Sequence, residues 1–419
     1  MKNADELSKR GMDRRTFLTV SGAAGALYTL SPIDLLAGYA DEKKQFVALL
    51  EILRKQLVES FERSKVVFDT DLLLHSPCIS ETYRGIWPDD FLYPLLVQPG
   101  FYDSEKLTQI AGFLTNSIVD LECFPDRVEA DGMPVMQPGG LSRPHARVMP
   151  LHLPAAWVRL LDNLEKMGAT IPRKDDWARV FKRSIDIVPF SCGLAYVDPQ
   201  SPRVGFGFHD PEAITGFELM SSLVLHFGLK RAARLFKGHI EESEINRWTR
   251  LSEGILNNLY RLFDKEQGAF FAGSKDCRQI NVWANGLAYW LVKPDVQKTI
   301  AEYYYRNRKA IFLNGFTRQI AEPDGWQRHF FPSTVGSYTN GGFWSVGTGW
   351  VLPAIAGQNP GFALEIAQDL VDNLVKYEFR EYISADGTGG GAVGFLAAIA
   401  VPMMGLTAIV ENRPFSEFF

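Results

Sequence analysis

The chain has 419 residues, 46% of them hydrophobic and 12% aromatic, with a net charge of −5. This is the composition of a folded, mildly acidic protein, and without a basic block to neutralise phosphates it argues against nucleic acid as a partner. Cys78, Cys123, Cys192 and Cys277 are scattered with no C-x-x-C pair, so neither a zinc nor a redox motif is signalled and no cofactor or metal is expected.

The first element is Asp13-Arg14-Arg15-Thr16-Phe17-Leu18 ahead of a mildly apolar stretch, Val20 to Leu30. It reads as a twin-arginine export signal over 1–40, because the stretch falls short of the ~20 apolar residues that a membrane span needs. A small-x-small site at Gly38-Tyr39-Ala40 would start the mature chain near Asp41. The expectation is a single catalytic domain over 41–419, carried by the twin-arginine machinery to the periplasm or the exterior.

From there the pattern is helical. Phe46, Leu49, Leu50, Leu53, Leu57 and Phe61 recur at steps of three and four, which places them on one helix face. Similar stripes run around Ile110 to Val119, Trp157 to Leu164, Glu218 to Phe236, Ile245 to Phe263, Trp283 to Leu291, Phe362 to Leu374 and Val393 to Val410. Long alternating runs that would mark strands are scarce. Between the helices lie Gly/Pro-rich segments at 83–101, 124–150, 195–216, 321–353 and 384–394, which carry most of the aromatic and acidic residues. Helix pairs joined by chemically loaded loops predict an all-α toroid with its functional loops gathered on one face.

Two of these segments are rich in sugar-binding chemistry. Tyr338-Thr339-Asn340-Gly341-Gly342-Phe343-Trp344 sets flat apolar rings beside amide donors and acceptors. Glu381-Tyr382 precedes Gly387-Thr388-Gly389-Gly390-Gly391, where a bulky polar ligand can approach the backbone closely. Trp87, Tyr338, Phe343, Trp344 and Trp350 are candidate walls of a sugar subsite, whereas Trp157, Trp283 and Trp290 lie in predicted helices and are assigned to packing. Asn340 suits a hydroxyl partner or a turn before Gly-Gly equally well.

Trp87-Pro88-Asp89-Asp90-Phe91, Pro125-Asp126-Arg127-Val128 with Asp131-Gly132, Gly205-Phe206-Gly207-Phe208-His209-Asp210 with Thr215-Gly216, the Tyr338–Trp344 segment and Glu381-Tyr382 occur in an order that resembles the six-hairpin glycosidases. The resemblance covers roughly residues 80 to 406, and the order of the motifs carries it more than any motif alone. It implies an (α/α)6 barrel acting on an oligosaccharide or polysaccharide. It also implies a sugar-binding role for Asp90, since the family's Trp-x-Arg-Asp-Phe pattern is similar to the one here. Asp89 stands where Arg is common, so a cation usually near the sugar is missing or supplied elsewhere.

Inverting hydrolysis needs a protonated carboxyl on the leaving oxygen and an ionised carboxylate holding water on the opposite ring face, roughly 6.5 to 9.5 Å apart. Asp210 is the candidate acid, because Phe206, Phe208 and Pro211 make an apolar setting that disfavours its charge. Glu381 is the candidate base, matching the late glutamate that resembles the superfamily's base. Glu378 is its rival, and Asp89 or Asp90 could take the acid role with Asp210 in support. His209 is expected to contact substrate, while no histidine pair has metal-ligand spacing. Arg127, Arg143 and Arg147 could pair with a carboxylated sugar, although arginines in such loops are more often solvated. Two other classes stay open: a polysaccharide lyase or sugar epimerase using Tyr338, His209 and Arg143, and a carbohydrate-binding protein without catalysis.

Overall fold

The computed structural model describes residues 40–68, 71–80, 82–138 and 149–419. Apart from Ala40, the expected export signal lies outside the described residues, as do Arg143, His145 and Arg147.

Helices follow one another as α1 (Ala40–Arg63), α2 (Pro88–Val97), α3 (Ser104–Ile118), α4 (Leu153–Lys166), α5 (Lys174–Ile187), α6 (Leu219–Leu235), α7 (Glu242–Asn258), α8 (Val282–Ala288), α9 (Pro294–Arg306), the single turn α10 (Arg308–Ile311), α11 (Ser345–Ala356), α12 (Pro360–Lys376) and α13 (Ala397–Val410). Among the described residues, α2, α4, α6, α8, α11 and α13 touch in that order, and α13 returns to α2. They form a closed inner ring. The other long helices pack outside it, α3 and α5 on α4, α7 on α6, α9 on α11, and α1 with α12 over α13 and α11. The fold is the all-α (α/α)6 toroid.

The two rings differ in the sequences that build them. Outer helices bury one stripe, such as Trp177, Val180, Phe181 and Ile185 in α5, and leave charged residues to water. Every residue of α8 and α11 is buried, so these inner helices carry no polar face. Their close approach needs glycine. A Cβ on Gly286 of α8 would lie 2.5 Å from the Trp350 carbonyl oxygen of α11. Two segments expected as loops hold inner helices, 83–101 with α2 and 321–353 with α11. Pro88 and Pro94 mask the first, while Gly347, Gly349 and Pro353 mask the second, since these residues lower helix propensity yet are tolerated in a fully packed ring.

Strands of two to four residues brace the loops at one end of the ring. Gly85–Ile86 pairs with Arg127–Glu129, which pairs with Pro134–Val135. A second small sheet runs Phe312–Leu313, Phe316–Arg318, Phe343–Trp344, Tyr382–Ile383, Gly389–Gly390. These two sheets carry Trp87 and Glu381 to the same opening.

Candidate active site

A cleft of about 740 Å³ opens at the N-terminal ends of the inner helices, where Trp87 and Pro88 begin α2, His152 and Leu153 begin α4, and Phe395 precedes α13. Its walls carry Asp89, Asp90, Asp126, Glu129, Asp210 and Glu381. Such a concentration of carboxyls beside Trp87, Tyr338 and Tyr382 suits hydroxyl-rich ligands with apolar ring faces.

Trp87 is set by the strand before it and by Pro88 at the first helical position, whose fixed φ suits a helix start. The indole meets the Tyr83 ring edge-on at 5.3 Å and the Arg127 guanidinium at 5.0 Å. Arg127 is in turn held by Glu129 at 2.6 Å and Asp126 at 3.3 Å. Arg127 therefore places a cation in the cleft of a chain where Asp89 occupies the expected arginine position.

Asp89 and Asp90 fill the first turn of α2, and their environments differ. Asp89 receives a 2.5 Å hydrogen bond from Arg159 of α4, with the His152 imidazole 3.9 Å from its other oxygen. One Asp90 oxygen is enclosed without a hydrogen-bond partner. Burial, reinforced by Asp89, Glu381 and Asp126, pushes the Asp90 carboxyl well above the usual range. A helix N-terminus favours negative charge by only about 0.3–1 kcal/mol at the surface, too little to overcome that burial. Asp126 is raised to about 7, mainly by burial, against the opposing pull of Arg127.

Asp210 reaches the cleft from the opposite wall, at the end of the 3-10 turn Gly207–His209. The flanking Phe206 packs on Trp350, and Phe208 on Trp344 and Trp283, so the turn is anchored in the ring of buried tryptophans. Behind it Glu212 is buried, accepts a 2.7 Å hydrogen bond from Thr339, and is pushed well above its ordinary value by burial.

Glu381 faces this wall from the start of the strand Tyr382–Ile383. Its carboxylate accepts from the Tyr83 hydroxyl at 3.0 Å and from the Ala392 backbone N–H at 2.9 Å. Burial raises it to about 7; those two donors lower it, and the Asp210 charge raises it further. Glu378 has no comparable place. It is exposed at the surface, paired with Arg380 at 3.0 Å.

Trp87, Asp89, Asp90, Tyr338, Asp210 and Glu381 thus line one cleft, whereas His209, Asn340, Phe343 and Trp344 lie outside its lining. His209 is buried beside Asn281 and under Trp326. Asn340 accepts from the Trp326 N–H at 2.7 Å and donates to Ser333, closing its own loop. Phe343 is in the sheet beneath Arg318. Trp344 is fully buried, donates to the Tyr338 carbonyl and stacks on Tyr382 at 5.5 Å. These last two support the wall from behind, because Phe343-Trp344 runs directly into the inner helix α11. Trp350 is likewise a core residue.

Tyr83, Asp126, His152 and Tyr382 join the site without having been expected there. Asp126 and Tyr382 lie within motifs that resemble the glycosidase pattern, which was the available signal. Tyr83 and His152 have no such mark, since each reaches the cleft through tertiary pairing. Among the described residues, no group of three His, Cys, Asp or Glu side chains is arranged to hold a metal ion.

No protein-family model matches the sequence, and no curated protein matches it. Solved structures do share the fold. The GH63 mannosylglycerate hydrolase from Thermus thermophilus, in complex with glucose, superposes with a TM-score of 0.55 at 17% identity over 86% of this chain and 100% of that one. A wild-type glycosidase gives 0.55 at 13% identity, over 88% and 99%. An uncharacterised conserved protein from Thermus thermophilus gives 0.55 at 15%, over 84% and 99%. The chain therefore has the six-hairpin toroid found in glycosidases.

Proposed function

We propose that this protein hydrolyses a glycosidic bond, with Asp210 as general acid and Glu381 as general base. The observation that carries the reading is that these two buried carboxyls line one cleft, carried there by separate loops. In this mechanism Asp210 gives its proton to the glycosidic oxygen as the C1–O bond breaks. Glu381 takes a proton from the water whose oxygen forms the new bond at C1, so configuration inverts. Burial favours the neutral form of Asp90, which has a proton to donate to a sugar hydroxyl, and Trp87 and Tyr338 supply ring faces. The superposable hydrolase is in complex with glucose, which supports a hexose as the ligand of the cleft.

Elimination is less well supported. Burial pushes the Tyr338 hydroxyl well above its ordinary value, which makes it a poor base, and His209 is absent from the cleft lining. We also propose that the protein works outside the cytoplasm, on the strength of Arg14-Arg15 and the short apolar stretch that follows. A panel of disaccharides and polysaccharides, read for new reducing ends and for the ultraviolet absorbance of unsaturated products, tests the assignment. Reducing ends alone are expected, with proton NMR of the first-formed sugar showing the inverted anomer. Absorbing products would overturn the assignment in favour of a lyase.

A further inference from the structure

We propose that Phe419 is a positioning residue for the sugar site, acting from inside the barrel through Arg159 on Asp89. After α13 the chain turns back, and the segment Pro414–Phe419 delivers the Phe419 side chain into the space enclosed by the inner helices, where it is 3% exposed. There the ring meets Trp350 of α11 at 5.9 Å and Phe227 of α6 at 6.1 Å. Its backbone carbonyl accepts from Arg231, which also binds Asp162 and the Glu417 carbonyl and so locks the segment in place.

Another neighbour connects this plug to the cleft. The Arg159 guanidinium lies 4.6 Å from the Phe419 ring centre and 5.1 Å from that of Tyr93, so the cation is seated between two aromatic rings. Among the described residues its one carboxylate partner is Asp89, at 2.5 Å, and its buried Nε and Nη1 have no hydrogen-bond partner. With so few hydrogen bonds, the aromatic rings set where the guanidinium can sit, and thereby which way the Asp89 carboxylate faces. Asp89 and His152 both line the cleft, and His152 abuts the glycine of the turn that carries Asp210. A planar, weakly hydrated guanidinium is suited to this position, because it stacks on rings and forks to a carboxylate at once.

The kinetic test rests on the glycosidase reading above, and a structural test is independent of it. Phe419→Leu keeps an apolar plug and removes the aromatic face. On a substrate that the parent chain hydrolyses, this change is expected to raise KM about three- to thirtyfold, spanning an exposed to a desolvated cation–π contact, with the pH profile of kcat unmoved. In an Asp89→Asn background the same change should have no further effect on KM, because the residue it positions has lost its charge. Additive losses in the double variant, or an unchanged KM in the single one, would overturn the proposal. Arg159→Lys keeps the buried charge but loses the stacked fork, so it should reproduce the rise in KM if the leucine variant folds poorly. Should the parent release no sugar from any substrate, the glycosidase reading fails and the crystal structure of Phe419→Leu decides this one. A displaced Arg159–Asp89 contact is expected, and an unaltered contact refutes the positioning role.

Discussion

Glu381, the proposed base, is held by two donors working against its surroundings. Burial and the Asp210 charge push its carboxyl up to about 7, while Tyr83 and the Ala392 N–H draw it down. Removing the Tyr83 hydroxyl in Tyr83→Phe deletes a partner of the ionised form, so the Glu381 pKa should rise. The acidic limb of kcat/KM, which reports the base losing its proton acceptor capacity, should then move to higher pH, with the largest loss of rate below pH ~7. A limb that stays in place would show that Tyr83 does not tune the base. Glu381→Gln and Asp210→Asn should each lower kcat by ~10²-fold or more, since each removes a proton-transfer partner. Near-parent activity in either variant, read by reducing-end release, would dismiss that residue. Both carboxyls were legible in the sequence because glycine and aromatic context marks them. Tyr83 was not, because its role depends on a hydrogen bond to a residue 298 positions away.

At the scale of elements, the inner ring sets what the sequence can reveal. Stripes predicted α1, α3 and α12 because those helices have a wet side, and the α5 stripe at Trp177, Phe181 and Ile185 was equally readable although no helix was expected there. By contrast, α11 is buried all round and rich in glycine and proline, so it has no periodicity and reads as a loop. Nor does its loop-like composition reveal that Phe343 and Trp344, expected against the sugar, are the strand leading into it. Two glycine substitutions should separate the rings. Gly286→Ala would force a Cβ against the Trp350 backbone, a clash no rotamer relieves. Overpacking of this kind costs about 1–3 kcal/mol and outweighs the helix preference of Ala over Gly, so Gly286→Ala should destabilise. Gly112 in the outer helix α3 has nothing within 4 Å of the corresponding position, so Gly112→Ala should stabilise by about 0.5–1 kcal/mol. Urea unfolding of the two variants measures both, and equal signs would contradict the difference in packing.

For the whole molecule, closing the helices into a ring makes a rigid end on which several carboxyls are held close together, and that concentration costs stability. Asp126 and Glu381 are both raised to about 7, chiefly by burial. An acid with a raised folded pKa binds its proton in the native state over a range where the unfolded chain has released it. Folding stability therefore falls as pH rises from the unfolded value, 4.5 for Glu381, through about 7, and levels off above. Buried histidines work in the opposite sense. His75 and His209, lowered to about 3, and His152, lowered to about 4, resist protonation in the fold, so their contribution to stability falls as pH drops below 6.5. Total stability mixes the two trends and identifies neither. Comparing the parent with Glu381→Gln removes the histidine contribution, which both share. The stability of the variant relative to the parent should increase between pH 4.5 and about 7, by up to about 1.4 kcal/mol per pH unit, and stay constant at higher pH. Urea midpoints at several pH values would show this directly. A difference independent of pH would mean that Glu381 is ionised in the native cleft throughout, with Tyr83 and the Ala392 N–H outweighing its burial.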